Sequence, residues 1–218
     1  MISKKSNIIC LMPPKTASNS LKDCLRNAGV EFEEMTKYTL PEIHLFLSEI
    51  VKIYEVDDLS TYKIIQIVRN PYDRFVSSYF HQLRILKGIE TNLDGLDFKE
   101  FSLHLKDCLL SDKDFLHRFY GRTDFIDKFI SSGKSWAGTR LYLNQHQWND
   151  MGANIEYFKL ESLAENINPL SKFLDLELSN LPRKNTNKSE SNYKELLTKE
   201  INEIIELIFK KDFQYFNY

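Results

Sequence analysis

The sequence predicts an α/β fold in three layers, a central and mainly parallel sheet flanked by helices. Three short apolar runs carry that prediction: SNIICLM at 6–12, KIIQIV at 63–68 and IEYFKL at 155–160. Runs of this length without strict alternation are typical of strands buried on both faces. The first is followed by Leu21, Cys24, Leu25 and Ala28 at helical spacing, closed by Gly29. The second is followed by Phe75, Val76, Tyr79, Phe80, Leu83 and Leu86, and the third by Glu161, Ser162 and Leu163 opening a helix that is expected to run through Pro169 toward LSKFLDL. Strands alternating with helices imply crossover connections and a parallel sheet.

The chain has 218 residues, 42% hydrophobic and 28% charged, with a formal net charge of -2. That length suits one domain, 1–218, with a real core, and the composition excludes disorder or a membrane bundle. The near-neutral balance offers no basic field for nucleic acid, although a local basic cleft around Lys15, Arg69 and Arg74 is compatible with it. Cys10, Cys24 and Cys108 sit in apolar patterns without metal spacing and read as reduced core cysteines. The first strand is expected by about residue 6, leaving no room for a signal peptide, and no run reaches the roughly 18 apolar residues of a membrane span. A cytoplasmic protein is expected.

Between the first strand and its helix lies LMPPKTASNSLKDCL, 11–25. A helix N-terminus presents unpaired backbone N–H groups and the positive end of a dipole. Lys15 adds an ammonium, and Thr16, Ser18 and Ser20 add hydroxyls, so the loop is suited to an anion. It lacks glycine, and its lysine precedes the small residues, unlike G-x-x-x-x-G-K-[ST]. A plain Ser/Thr cap with a solvated lysine is the structural alternative.

The second strand is followed by RNPYDRFVSSYF. Asn70 suits an N-cap, Pro71 the first helical position and Asp73 the first turn. Arg69 therefore stands at the carboxyl end of a strand, the edge where open α/β sheets bind ligands. A metal–nucleotide site would want a carboxylate there; this chain presents arginine. Two anion-binding strand ends without an obvious metal ligand suggest a nucleotide with separated phosphate groups.

On these two stretches the chain resembles sulfotransferases that use 3′-phosphoadenosine 5′-phosphosulfate (PAPS), closest in look to the carbohydrate and membrane-associated branch. The resemblance implies a P-loop-like fold and sulfuryl transfer to an acceptor, leaving adenosine 3′,5′-bisphosphate with no metal required. PPKTASNSL is similar to the family's loop for the 5′-phosphosulfate, which gives Lys15, Thr16, Ala17, Ser18, Asn19 and Ser20 that role, with Lys15 catalytic. The family more often has serine or threonine where Asn19 stands. RNPYDRFVSSYF resembles the 3′-phosphate segment and assigns Arg69 and Ser77 to it. The polar loop PRKNTNKSES, 182–191, resembles one that folds over the nucleotide, and the resemblance implies Lys188 and Ser189 as further contacts, with Arg183 beside them; composition alone favours a solvated linker.

The resemblance also implies a general base that deprotonates the acceptor. VEFEEM, 30–35, reads as a second strand with Val30, Phe32 and Glu34 on one face, so that Glu34 ends an apolar stripe where a base would be well placed; a solvated glutamate in an acidic cluster is the structural alternative. Relatives use a glutamate or a histidine in this region, and this chain has Tyr38 where a histidine is common. His44 falls beside the apolar face of a helix expected over 41–52, which places it at the rim or in solvent. His146 belongs to RLYLNQHQWND, 140–150, where Asn144, Gln145, Gln147 and Trp148 suit a sugar acceptor; a polar loop with one aromatic anchor is the equal alternative.

The remaining segments read as packing. DFKEFSLHLKDCLL and DKDFLHRFYGRTDFIDKFI are amphipathic, with His104 and His117 as ordinary helix residues. Glu161 reads as structural. Asn192 and Glu195 form a capping-box pair before a last core helix ending in the aromatic tail DFQYFNY. Two rival classes share the two loops: a small-molecule kinase, which should show a glycine-rich loop and a magnesium carboxylate, and a non-catalytic nucleotide-binding protein.

Overall fold

The computed structural model describes residues 1–33, 44–87, 91–111, 115, 119, 140–181 and 193–218. They fall into two compact units, Met1–Asn70 with Gln145–Thr186, and Pro71–Asn144 with Asn187–Tyr218. In chain order the elements are β1 (Ile2–Ser3), β2 (Ile8–Leu11), α1 (Ser18–Asn27), α2 (Leu47–Tyr54), β3 (Lys63–Val68), α3 (Pro71–Ile85), α4 (Phe98–Leu110), β4 (Glu156–Lys159), α5 (Leu160–Glu165), α6 (Asn168–Leu174), α7 (Lys199–Ile208) and α8 (Lys210–Phe216).

The first unit holds a four-stranded sheet in the order β1-β2-β3-β4. β1 is antiparallel to β2; β2, β3 and β4 are parallel, with Leu11 opposite Gln66 and Val68 opposite Lys159. The expected α/β class with a mainly parallel sheet is therefore present. Alternation along the strands sends Ile8, Cys10, Ile65, Ile67 and Phe158 into one cluster with Leu21 and Leu25 of α1, Leu163 of α5, and Leu170 and Leu174 of α6. Their neighbours Ile9, Leu11, Ile64, Gln66 and Val68 point to the opposite face and are also buried. Both faces of β2 and β3 are covered, which is why those two runs are apolar without alternation; β4 departs from the expected doubly buried strand, because it lies at the edge of the sheet, where Glu156 is exposed and only Phe158 is fully buried.

Several boundaries differ from those the sequence predicts. Residues 30–33 form no strand, although Glu33 N–H donates to the Ile2 carbonyl at 2.9 Å; Glu34 lies outside the described residues. The helix expected over 41–52 begins only at Leu47, because the Glu49 carboxylate accepts the Phe46 N–H at 2.8 Å and sets the start there. The helix expected through Pro169 is two helices. Asn166 Oδ1 takes the Asn168 N–H at 3.0 Å, and Pro169, lacking an N–H, stands in the first turn of α6. The last helix starts from Thr198, whose hydroxyl accepts the Ile201 N–H, and the aromatic tail is helical as α8. Asn192 lies outside the described residues, as do most of 112–139 and His117.

The second unit packs Phe75 and Tyr79 of α3, Phe98, Phe101 and Leu105 of α4, and Ile201, Ile205 and Phe209 of the C-terminal segment into one core. α3 and α4 begin where expected, the latter capped reciprocally by Asp97 and Glu100. His104 stacks on Phe119 at 5.5 Å between ring centroids. The three cysteines are buried and form no disulfide, and burial pushes the Cys10 thiol up to about 12.

Arg74 overturns one expectation. It belongs to no basic cleft: its side chain is 0% exposed, 3.7 Å from the equally buried Asp212 carboxylate. The guanidinium also donates to the Leu141 carbonyl and lies 5.2 Å over the Phe209 ring. The amphipathic pattern of α3 could not announce this, because the partner is on α8. Removing one member of a buried pair leaves an uncompensated charge, so Asp212→Ala should cost about 3–5 kcal/mol of stability. In urea unfolding, the double variant Arg74→Met/Asp212→Leu should recover most of that loss, and a single variant as stable as wild type would show the pair to be dispensable.

Candidate functional site

The loop from β2 to α1 is the one whose residues suit an anion, and its backbone explains how a loop without glycine makes its turn. Lys15 and Ala17 both take positive φ, 67° and 62°. Ala17 is the left-handed N-cap of α1 and makes no side-chain capping bond; the helix opens with Leu21 N–H donating to the Ala17 carbonyl at 3.0 Å. A left-handed residue followed by right-handed ones turns successive N–H groups into a concave nest, and here the nest coincides with the positive end of a ten-residue helix. An anionic oxygen cluster matches that donor set.

The hydroxyls shape the loop. Thr16 is buried and its Oγ1 donates to the Pro13 carbonyl at 2.7 Å; Ser18 Oγ reaches the same carbonyl at 3.4 Å. With those protons directed at Pro13, Thr16 and Ser18 face an anion mainly through their backbone. Ser20 is buried, Asn19 is exposed, and Lys15 is half-buried.

Arg69 follows the end of β3, and its Nη1 donates to the Lys15 carbonyl at 3.2 Å. Parallel pairing of β2 with β3 puts the two loops on one sheet edge. Side chains hold the backbone here. Gln145 Oε1 accepts the Arg69 N–H at 2.8 Å and its Nε2 donates to the Arg69 carbonyl at 2.9 Å. Gln66 Nε2 donates to the Gln145 carbonyl at 2.7 Å, and Glu161 Oε1 accepts the Asn70 N–H at 2.8 Å. Glu161 is thus structural, as its position in the sequence suggests.

The Gln/Trp segment is not an open sugar platform. Gln145 and Trp148 are both 0% exposed, and the indole packs on Phe46 at 5.1 Å between centroids. His146 is half-buried and Gln147 exposed in the same short turn.

His44 also departs from its expected rim position. It is buried ahead of α2, and its Nδ1 donates to the Met12 carbonyl at 2.8 Å, just before the anion loop. A carbonyl only accepts, so in the neutral ring the proton is on Nδ1 and the lone pair on Nε2. The periodicity misled because Glu49 stops the helix short of residue 44. Ser77 lies buried on α3 in the second unit, while Glu34, Tyr38, Lys188 and Ser189 lie outside the described residues. Among the described residues no group of His, Cys, Asp and Glu could hold a metal ion, and no helix is long and apolar enough to cross a membrane.

At one edge of the sheet the structure brings together the left-handed turn before α1, Lys15 and Arg69. The family model described as "Sulfotransferase family" matches residues 1–218, and the chain belongs to that family of transferases, whose chemistry is sulfuryl transfer. No curated protein matches the chain. Among solved structures, a sulfotransferase from Alicyclobacillus acidocaldarius is similar at 13% identity and a TM-score of 0.44, over 94% of this chain and 92% of that one. So distant a likeness adds nothing to the site.

A non-glycine residue in the left-handed region costs about 1–2 kcal/mol. Ala17→Gly should therefore unfold in urea at or above the wild-type midpoint, while the β-branched Ala17→Val should unfold well below it. Equal midpoints for valine and wild type would contradict the left-handed N-cap.

Proposed function

We propose that the protein transfers the sulfuryl group of PAPS to an acceptor hydroxyl, with a carbohydrate as the acceptor class, from one domain spanning 1–218. The observation that carries this reading is the meeting of the two anion loops in the first unit, where the Arg69 guanidinium touches the Lys15 carbonyl beside the uncapped start of α1. The loop's N–H groups and Lys15 would hold the 5′-phosphosulfate, and Arg69 the 3′-phosphate. Resemblance alone supports Ser77, Lys188 and Ser189 as further contacts, and the carbohydrate acceptor likewise.

PAPS supplies an activated sulfuryl group. The acceptor oxygen attacks sulfur, the bond from sulfur to the 5′-phosphate oxygen breaks in line, and adenosine 3′,5′-bisphosphate leaves. Lys15 neutralises charge that grows on the bridging oxygen as that bond breaks, a preorganised electrostatic role. The acceptor proton passes to a base. Glu34 is the residue that the sequence favours. His44 is a second reading with its own observation: the Met12 carbonyl fixes the tautomer whose Nε2 accepts a proton.

Lys15→Ala should lower turnover roughly 10²- to 10³-fold. Arg69→Ala should chiefly weaken the bisphosphate. Calorimetric titration with adenosine 3′,5′-bisphosphate, and separately with ATP and magnesium, each repeated with EDTA, tests the cofactor. Metal-independent binding of the bisphosphate alone is expected; ATP binding that needs magnesium, without bisphosphate binding, would move the protein to the kinase class. For the base, His44→Ala and Glu34→Gln are compared: the variant that loses turnover while keeping bisphosphate affinity identifies it.

A further inference from the structure

We propose that Gln145 is the positioning residue for Arg69, setting the direction of its guanidinium and through it the preference for a 3′-phosphorylated nucleotide. The inference rests on the proposed cofactor reading. β2 pairs with β3 only as far as Leu11 opposite Gln66, and β4 only as far as Lys159 opposite Val68. Past Val68 no neighbouring strand among the described residues remains to pair with the Arg69 peptide groups, although Arg69 is only half-exposed.

The Gln145 amide takes the place of that strand. Its carbonyl oxygen accepts the Arg69 N–H and its NH₂ donates to the Arg69 carbonyl, two bonds of 2.8 and 2.9 Å to one residue. A two-point, planar contact fixes the residue's rotation as well as its position, and with it the direction of the Cα–Cβ bond. The clamp is itself held: Gln66, three residues upstream on β3, donates to the Gln145 carbonyl at 2.7 Å, and Trp148 anchors the same turn on Phe46. At 0% exposure the amide has little freedom to adapt. A guanidinium on a flexible side chain loses entropy on binding an anion, and a fixed backbone lowers that cost.

The test compares affinities for adenosine 3′,5′-bisphosphate and adenosine 5′-phosphate in wild type, Arg69→Ala, the near-isosteric Gln145→Met and the double variant. Gln145→Met should weaken the bisphosphate roughly 10- to 100-fold, the scale of two unmade buried hydrogen bonds. It should leave the 5′-phosphate affinity nearly unchanged and add nothing in the Arg69→Ala background. Equal losses for both nucleotides, or a wild-type preference retained in Gln145→Met, would overturn the proposal while leaving the 3′-phosphate role of Arg69 intact. A wild-type protein without preference for the bisphosphate would instead remove the cofactor reading, and this proposal with it. Should Gln145→Met fail to fold, Gln145→Asn, which keeps the amide but falls short of Arg69, decides by the same comparison; failure of both to fold would make Gln145 purely structural and overturn the positioning role.

Discussion

Parallel pairing of β2 with β3 is the constraint on which the rest of the first unit depends. Because both strands run the same way, the chain leaves them at the same edge, and two loops distant in sequence meet there. The contact between Arg69 and the Lys15 carbonyl follows from that register. A slip of one residue would turn Gln66 away from the Gln145 carbonyl and exchange the two apolar faces.

The edge is held by polar side chains standing in for backbone. Gln145 pairs with Arg69, Glu161 with Asn70, and Thr16 with Pro13. Each satisfies a backbone group that the sheet and helices leave over, and each constrains a residue at the edge where the β2 and β3 loops meet. The second unit shows the same economy in a different setting, where Arg74, Leu141, Asn144 and Asp212 share one buried network. These are high-stakes interactions, since an unpaired member in a low-dielectric interior is costly.

The left-handed residues of the loop belong to this pattern. Lys15 and Ala17 occupy a conformation that glycine adopts freely, and the chain tolerates the strain in the loop proposed to hold the 5′-phosphosulfate. Alanine at the N-cap leaves the first N–H groups of α1 without a side-chain oxygen, whereas serine, threonine or aspartate there would compete with an external anion for them.

Local signals were enough for much of the fold. The strands inside the runs 6–12, 63–68 and 155–160, the Asn70-Pro71 start of α3 and the loop between β2 and α1 are all written in neighbouring residues, because strand burial and helix capping depend on spacing of two to four positions. The tertiary structure alone decided what joins residues far apart. It turned Gln145 from a surface amide into a clamp on Arg69, paired Arg74 with Asp212, and seated His44 on the Met12 carbonyl. A side chain's periodicity reports which face it occupies; its partner is set by which other elements pack against that face, and no spacing within one helix or strand encodes that.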